Sequence, residues 1–140
     1  MSNEKSFEQR VRDSFEKQSF MKTIGAELTS VQQGYVEVRL PANSGLLQQN
    51  GFVHAGAVSA IADTAAGYAA MTLLPQLADV LTVEFKINLL SPARGEYLVA
   101  RGKVIRSGKQ LSVSSVDVFA ISGGEEKCVA TLLATIAHRS

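Results

Sequence analysis

Apolar residues fall on two different periods along this chain. Phe7, Val11 and Phe15 recur every four residues, with Glu8, Arg10, Arg12, Asp13 and Glu16 between them. That spacing predicts an amphipathic helix over roughly residues 4–18, and Phe20 and Met21 carry the apolar contact past its end. Period two then takes over. Residues 27–31 and 35–40 alternate around Gln33-Gly34, which predicts a hairpin. Residues 41–49 are rich in Pro, Asn, Ser and Gly and read as loop. Residues 55–74 are apolar nearly all round, which predicts a helix enclosed by protein rather than lying on a surface. Its small residues, among them Ala57, Ala60, Ala65, Ala66 and Gly67, let a sheet approach the backbone, and Pro75 ends it. Four strand-like segments follow at 80–90, 97–106, 111–121 and 127–138. The breaks between them are short and contain glycine, so the strands pair antiparallel. The sum is an α+β domain: an antiparallel sheet wrapped around one long central helix, with an amphipathic helix at the N-terminus.

Length and charge narrow the class. At 140 residues the chain suits one domain, 1–140, with a core that needs no staple. Fourteen basic against 13 acidic residues leave a net charge of +1, scattered without the basic stripe that a nucleic-acid partner demands. No apolar run is long enough to span a bilayer, and residues 1–5 are too polar for a secretory signal. The only cysteine, Cys128, allows no intrachain disulfide and reads as a small core hydrophobe. A cytoplasmic protein without a membrane partner is expected. The chain carries no Gly-x-Ser-x-Gly elbow, no P-loop and no Gly-x-Gly-x-x-Gly fingerprint. His54 and His138 are far apart in sequence with no cysteine nearby, so no metal or redox cofactor is expected.

Candidate chemistry concentrates in Asn50-Gly51-Phe52-Val53-His54-Ala55-Gly56 and in Asp63 beyond it. A helix start offers free backbone N–H groups that hold a developing negative charge. The Ala55 N–H, with Gly56 as a second donor, is the candidate oxyanion hole; such donors are worth about 2.7–4 kcal/mol in a transition state. Asp63 sits among Ala60, Ile61, Ala62, Ala65 and Ala66, where a carboxylate is costly to bury. It is a surface acid, or else a nucleophile or general base in acyl transfer from an activated ester. His54 caps the helix, and in the functional reading also orients the loop and contacts the substrate. Asn50, before a glycine, suits a left-handed turn position. Thr82 is an ordinary β-branched strand residue.

Helix geometry adds a constraint on assembly. Asp63 lies eight residues beyond Ala55, ~12 Å along one helix axis. A reacting carbonyl must sit on the order of 3 Å from both acid and donor. One helix does not readily supply both, whereas two antiparallel copies do. A homodimer with two shared sites is therefore expected.

The pattern Asn50-Gly51-x-x-His54-x-Gly56, with Asp63 nine residues after the histidine, resembles the signature of PaaI-type acyl-CoA thioesterases of the hotdog fold. Lys86-Ile87-Asn88-Leu89-Leu90-Ser91-Pro92-Ala93 and the turn Ser107-Gly108-Lys109 are similar to later segments of that family. The likeness runs from about residue 20 to the C-terminus. One departure is visible: the family usually has His-Gly-Gly where this chain has His54-Ala55-Gly56. The resemblance implies hydrolysis of a small aromatic or short-to-medium acyl-CoA. It gives Asn50 and His54 contact with the thioester and Thr82 a hold on the attacking water. It also implies a homodimer, extending in some relatives to a dimer of dimers. Coenzyme A would then be part of the substrate, and Arg94, Arg106, Ser107, Gly108 and Lys109 become candidates for its phosphates. Solvated turn charges are the plain alternative. A hotdog module that binds acyl-CoA without cleaving it is the competing function. A hydratase is disfavoured because no Asp-x-x-x-x-His pair occurs.

Overall fold

The computed structural model describes residues 5–139. Helix α1, Phe7–Glu16, starts where the Ser6 hydroxyl accepts the Gln9 N–H at 3.1 Å, the usual device for an orphan donor in a first turn. Residue 4, the expected helix start, lies outside the described residues. The helix buries Val11 and Phe15. A separate short helix, α2 (Ser19–Ile24), follows, where only continued apolar contact was expected. It buries Met21 and Ile24 and stops at Gly25, whose φ of +80° closes the helix end in a conformation that favours glycine.

Six strands form one antiparallel sheet: β1 Glu27–Gln32, β2 Tyr35–Pro41, β3 Asp79–Leu89, β4 Tyr97–Ser107, β5 Leu111–Ser122 and β6 Glu125–Arg139. Their spatial order is β1-β2-β4-β5-β6-β3, so β1 and β3 are the two edges. Period-two burial is clean in β2, where Val36, Val38 and Leu40 point inward, and in β6, where Leu132, Ala134 and Ile136 do. On the outer surface the Arg101 guanidinium stacks 4.7 Å above Phe119 and pairs with Glu37 and Glu126.

The central helix, α3 (Ala55–Met71), fills the concave side of the sheet and is buried along most of its length. Its alanines serve close approach. At Gly102 of β4 an added Cβ would meet the Ala65 carbonyl oxygen at 2.9 Å, so helix and strand touch backbone to backbone. The helix ends at Met71 rather than at the expected residue 74. Pro75 disfavours a helical conformation just before it, and the N–H groups of Leu73 and Leu74 turn instead to carbonyls three residues back. Arg10 of α1 donates to the carbonyls of Leu74 and Pro75, each at 2.9 Å. Thr72 donates to the Ala69 carbonyl and accepts the Gly34 N–H, both at 2.7 Å, tying the helix end to the β1–β2 turn. Among the described residues no helix is long and apolar enough to cross a membrane.

Candidate active site

The first turn of α3 has one unclaimed donor. His54 is the N-cap, and its own N–H goes to the Leu46 carbonyl at 2.8 Å. The Gly56 N–H is taken by His54 Nδ1 at 2.7 Å, and the amides of Ala57 and Val58 go to the His54 carbonyl. Only the Ala55 N–H has no partner among the described residues. It sits at the positive end of the helix dipole. The two donors expected here thus narrow to one. Gly56 instead makes room for the cap. A Cβ there would fall 2.9 Å from Nδ1, so glycine is what lets the imidazole fold back over the helix start. Because Nδ1 accepts, the neutral ring carries its proton on Nε2, facing outward.

The loop before the helix is held by Gln48, a residue that no motif in the sequence singles out. Its side-chain oxygen accepts the Asn50 N–H at 2.6 Å and the Phe52 N–H at 3.3 Å. The left-handed position is Gly51, with φ +85°; Asn50 does not adopt it. Its side chain is therefore not needed for the turn. Asn50, His54 and Ala55 line one cavity of about 640 Å³ together with Phe52, Val58 and Leu90. Arg94 stands at the same end, its guanidinium 5.7 Å from the Phe52 ring centre.

Asp63 lies elsewhere. Its Oδ1 accepts the Thr82 hydroxyl at 2.6 Å, so the structure brings this acid and this threonine together. Immediately after Thr82 the β3–β6 register shifts; such bulges redirect side chains near functional sites. Asp63 is half-buried and lines a second cavity of about 370 Å³ with Ser14, Gln18, Gly67, Tyr68 and Thr82. Neither Ala55 nor His54 reaches that cavity. Within one chain the amide and the acid face separate spaces.

The residues considered for phosphate binding also divide. Arg94 stays at the Ala55 end, while Ser107, Gly108 and Lys109 line a third cavity beside His138 and Arg139. Arg106 is exposed and outside the lining of that cavity. Two polar side chains near the N-terminus that no motif singled out also line the Asp63 cavity: Ser14 Oγ of α1 lies 3.0 Å from the Tyr68 hydroxyl, and Nε2 of Gln18, which caps α2, donates to it at 2.8 Å. A tyrosine inside a helix otherwise built of small and aliphatic residues was the available signal.

With this geometry in place the likeness to known proteins becomes specific. Residues 50–127, more than half the chain, match the model of the thioesterase superfamily. The span begins at Asn50 and contains α3 and the strands from β3 to the start of β6. A thioesterase family protein from Silicibacter pomeroyi is 44% identical, superposes with a TM-score of 0.93, and shares 95% of this chain and 98% of its own. The acyl-coenzyme A thioesterase PaaI of Escherichia coli is 27% identical over 106 residues, 74% of this chain and 73% of that protein. The solved structure of the E. coli PaaI protein superposes with a TM-score of 0.85 over 96% and 94% of the two chains at 21% identity, a likeness of fold. The chain belongs to the thioesterase superfamily, as a PaaI-like hotdog protein, and its class of activity is thioester hydrolysis.

Proposed function

We propose that the protein hydrolyses a small aromatic or short-to-medium acyl-CoA to the free acid and coenzyme A, in two sites that each join two copies of the chain. The observation that carries this reading is the separation of the unclaimed Ala55 amide from the Asp63–Thr82 pair along one helix. The edges of the sheet suggest how the copies meet. Edge β1 presents Glu27, Thr29 and Gln32, whereas edge β3 leaves Leu81, Val83, Phe85 and Leu89 between 40% and 58% exposed. A long apolar edge strand is a template for pairing with another chain. Strand β3 runs from the Asp63 end of α3 to its Ala55 end. Two β3 edges set antiparallel about a two-fold axis near Lys86 bring Thr82 of one copy across from Leu90 of the other. The acid cavity of each copy then joins the amide cavity of its partner.

In the joined site the thioester carbonyl accepts the Ala55 N–H of one copy, with Asn50 and His54 beside it. Thr82 keeps its proton and donates a hydrogen bond to Asp63 Oδ1, so its oxygen accepts a hydrogen bond from a water whose other O–H points to the free Oδ2 of Asp63. That favours the general-base route over direct attack by the carboxylate. Water attacks the carbonyl carbon as Asp63 takes its proton. The oxyanion collapses, the carbon–sulfur bond breaks, and Asp63 returns the proton to the departing thiolate.

The test uses two defects in different chains. Ala55→Pro removes the amide proton, yet proline is favoured at a first helical position, and His54 already has the ψ of 137° that a following proline requires. Asp63→Ala removes the acid. Each variant alone retains about a hundredth of wild-type turnover or less. Mixed dimers keep one intact site of two, so a refolded equimolar mixture recovers about a quarter of wild-type turnover of an acyl-CoA panel. No recovery from a mixture shown to contain mixed dimers would overturn the shared site.

A further inference from the structure

The cavity beside Asp63 has two features that positioning the acid does not require. One is Gly67, a turn after Asp63 on the same stripe of α3. Glycine weakens a helix relative to alanine. Nothing in the packing asks for it: its φ is not in the left-handed region, and an added Cβ would meet only Val80 Cγ2, at an ordinary 3.8 Å. What a methyl group would take away is space, since Gly67 lines the cavity. The other feature is the polar end. Tyr68 is 4% exposed, and its hydroxyl accepts from Gln18 and bonds Ser14. A phenol oxygen with two partners retains one hydrogen-bonding position. The Gln18 side-chain oxygen accepts nothing among the described residues. Tyr68 is five residues beyond Asp63, about 7.5 Å along the axis, and helical side chains lean back toward the N-terminus. The span suits a short chain or a single ring.

Which arm of the thioester enters follows from the cations. Arg94 borders a neighbouring cavity but lies over Phe52, a wall of the Ala55 cavity, which is larger than the Asp63 cavity, and its guanidinium suits a phosphate. The pantetheine arm leaves that way. The Asp63 cavity, walled by α1, is left for the acyl group.

We infer that Gly67 and the Gln18–Tyr68–Ser14 cluster are specificity determinants: Gly67 keeps the acyl compartment open, and the cluster selects acyl groups whose far end carries a hydroxyl or carbonyl. This rests on the proposed site at Asp63. An apolar acyl terminus that displaces water from this end leaves the Tyr68 hydroxyl and the half-buried Gln18 amide without their last partners, whereas a hydroxyl or carbonyl end supplies one.

The experiment compares hexanoyl-CoA with 6-hydroxyhexanoyl-CoA in wild type and Gln18→Leu, and butanoyl-CoA with octanoyl-CoA in wild type and Gly67→Ala. Ratios of kcat/KM within one protein cancel any general loss of activity. Wild type prefers the hydroxylated ester by about tenfold, the worth of one good hydrogen bond, and Gln18→Leu brings the ratio close to one. Gly67→Ala lowers the octanoyl-to-butanoyl ratio while its Tm holds or rises. Ratios unchanged in both variants overturn the assignment and leave the hydrolase intact. A fall in the Tm of Gly67→Ala makes the glycine structural and overturns its part. Release of no thiol from any ester by wild type removes the Asp63 reading and this one with it.

Discussion

Two faces of the central helix use small residues for opposite ends. On one, Ala65 lies against Gly102, and a single methyl on the strand would strike the helix carbonyl. On the other, Asp63 and Gly67 border an open cavity, and a methyl at 67 would meet one carbon at ordinary distance. Two residues of α-helix turn through about 200°, so these faces lie nearly back to back. The same residue type is required by contact on one face and by room on the other. A run of alanine and glycine is therefore not one feature but two. Only the neighbours tell them apart.

Four substitutions break or sharpen that contrast. Asp63→Ala acts on the open face alone: turnover falls at least about a hundredfold, while thermal unfolding shows the fold retained. A folded variant with unchanged rate dismisses the acid. Ala55→Pro lies on neither face and reports on the helix start; kcat drops by about 10²–10³, and circular dichroism shows the helix intact. Gly102→Ala acts on the packed face and costs about 1–3 kcal/mol by overpacking, measured by urea unfolding. Gly67→Ala, the same change on the open face, gains about 0.5–1 kcal/mol from helix propensity. Opposite signs for the two glycines would sharpen the contrast, and equal losses would erase it.

The smallest effect is expected at the outer ion pair, remote from both faces. The Arg101 hydrogen bond, followed by its charge, holds the Glu126 carboxyl below the usual range. A depressed carboxylate contributes stability above its unfolded pKa and loses it as pH falls through the folded value. Glu126→Gln therefore lowers Tm by a few degrees at most at neutral pH. The difference from wild type disappears in acid, below the carboxylate range.

How far the sequence reached depended on whether the deciding neighbour was local. Each strand begins and ends within about two residues of its expected limits, because alternation and glycine turns are written along the chain. The end of α3 was expected three residues late, since the stop is shared with Pro75, Arg10 and Gly34, and two of these are distant in sequence. Helix α2 escaped notice because its 6 residues are too few for a period to show. Among the candidate residues, the spacing of Asn50, His54, Ala55 and Asp63 is written in the sequence, whereas their division between two cavities is not. That Gly56 serves His54, and that Gln48 orders the loop, became visible only with side chains in place. Gln18 and Tyr68 meet across 50 positions, a pairing that no periodicity encodes.

The backbone contact between Ala65 and Gly102 has a further consequence. The helix carries an amide at one end and an acid near its middle, so any creep along its axis would displace both at once. Catalytic geometry tolerates little of this, a 1 Å error costing on the order of a hundredfold. The glycine notch works as a detent: it seats the rod at one axial stop, two residues from the carboxylate, and in the proposed shared site it would hold amide and acid in register with the partner copy.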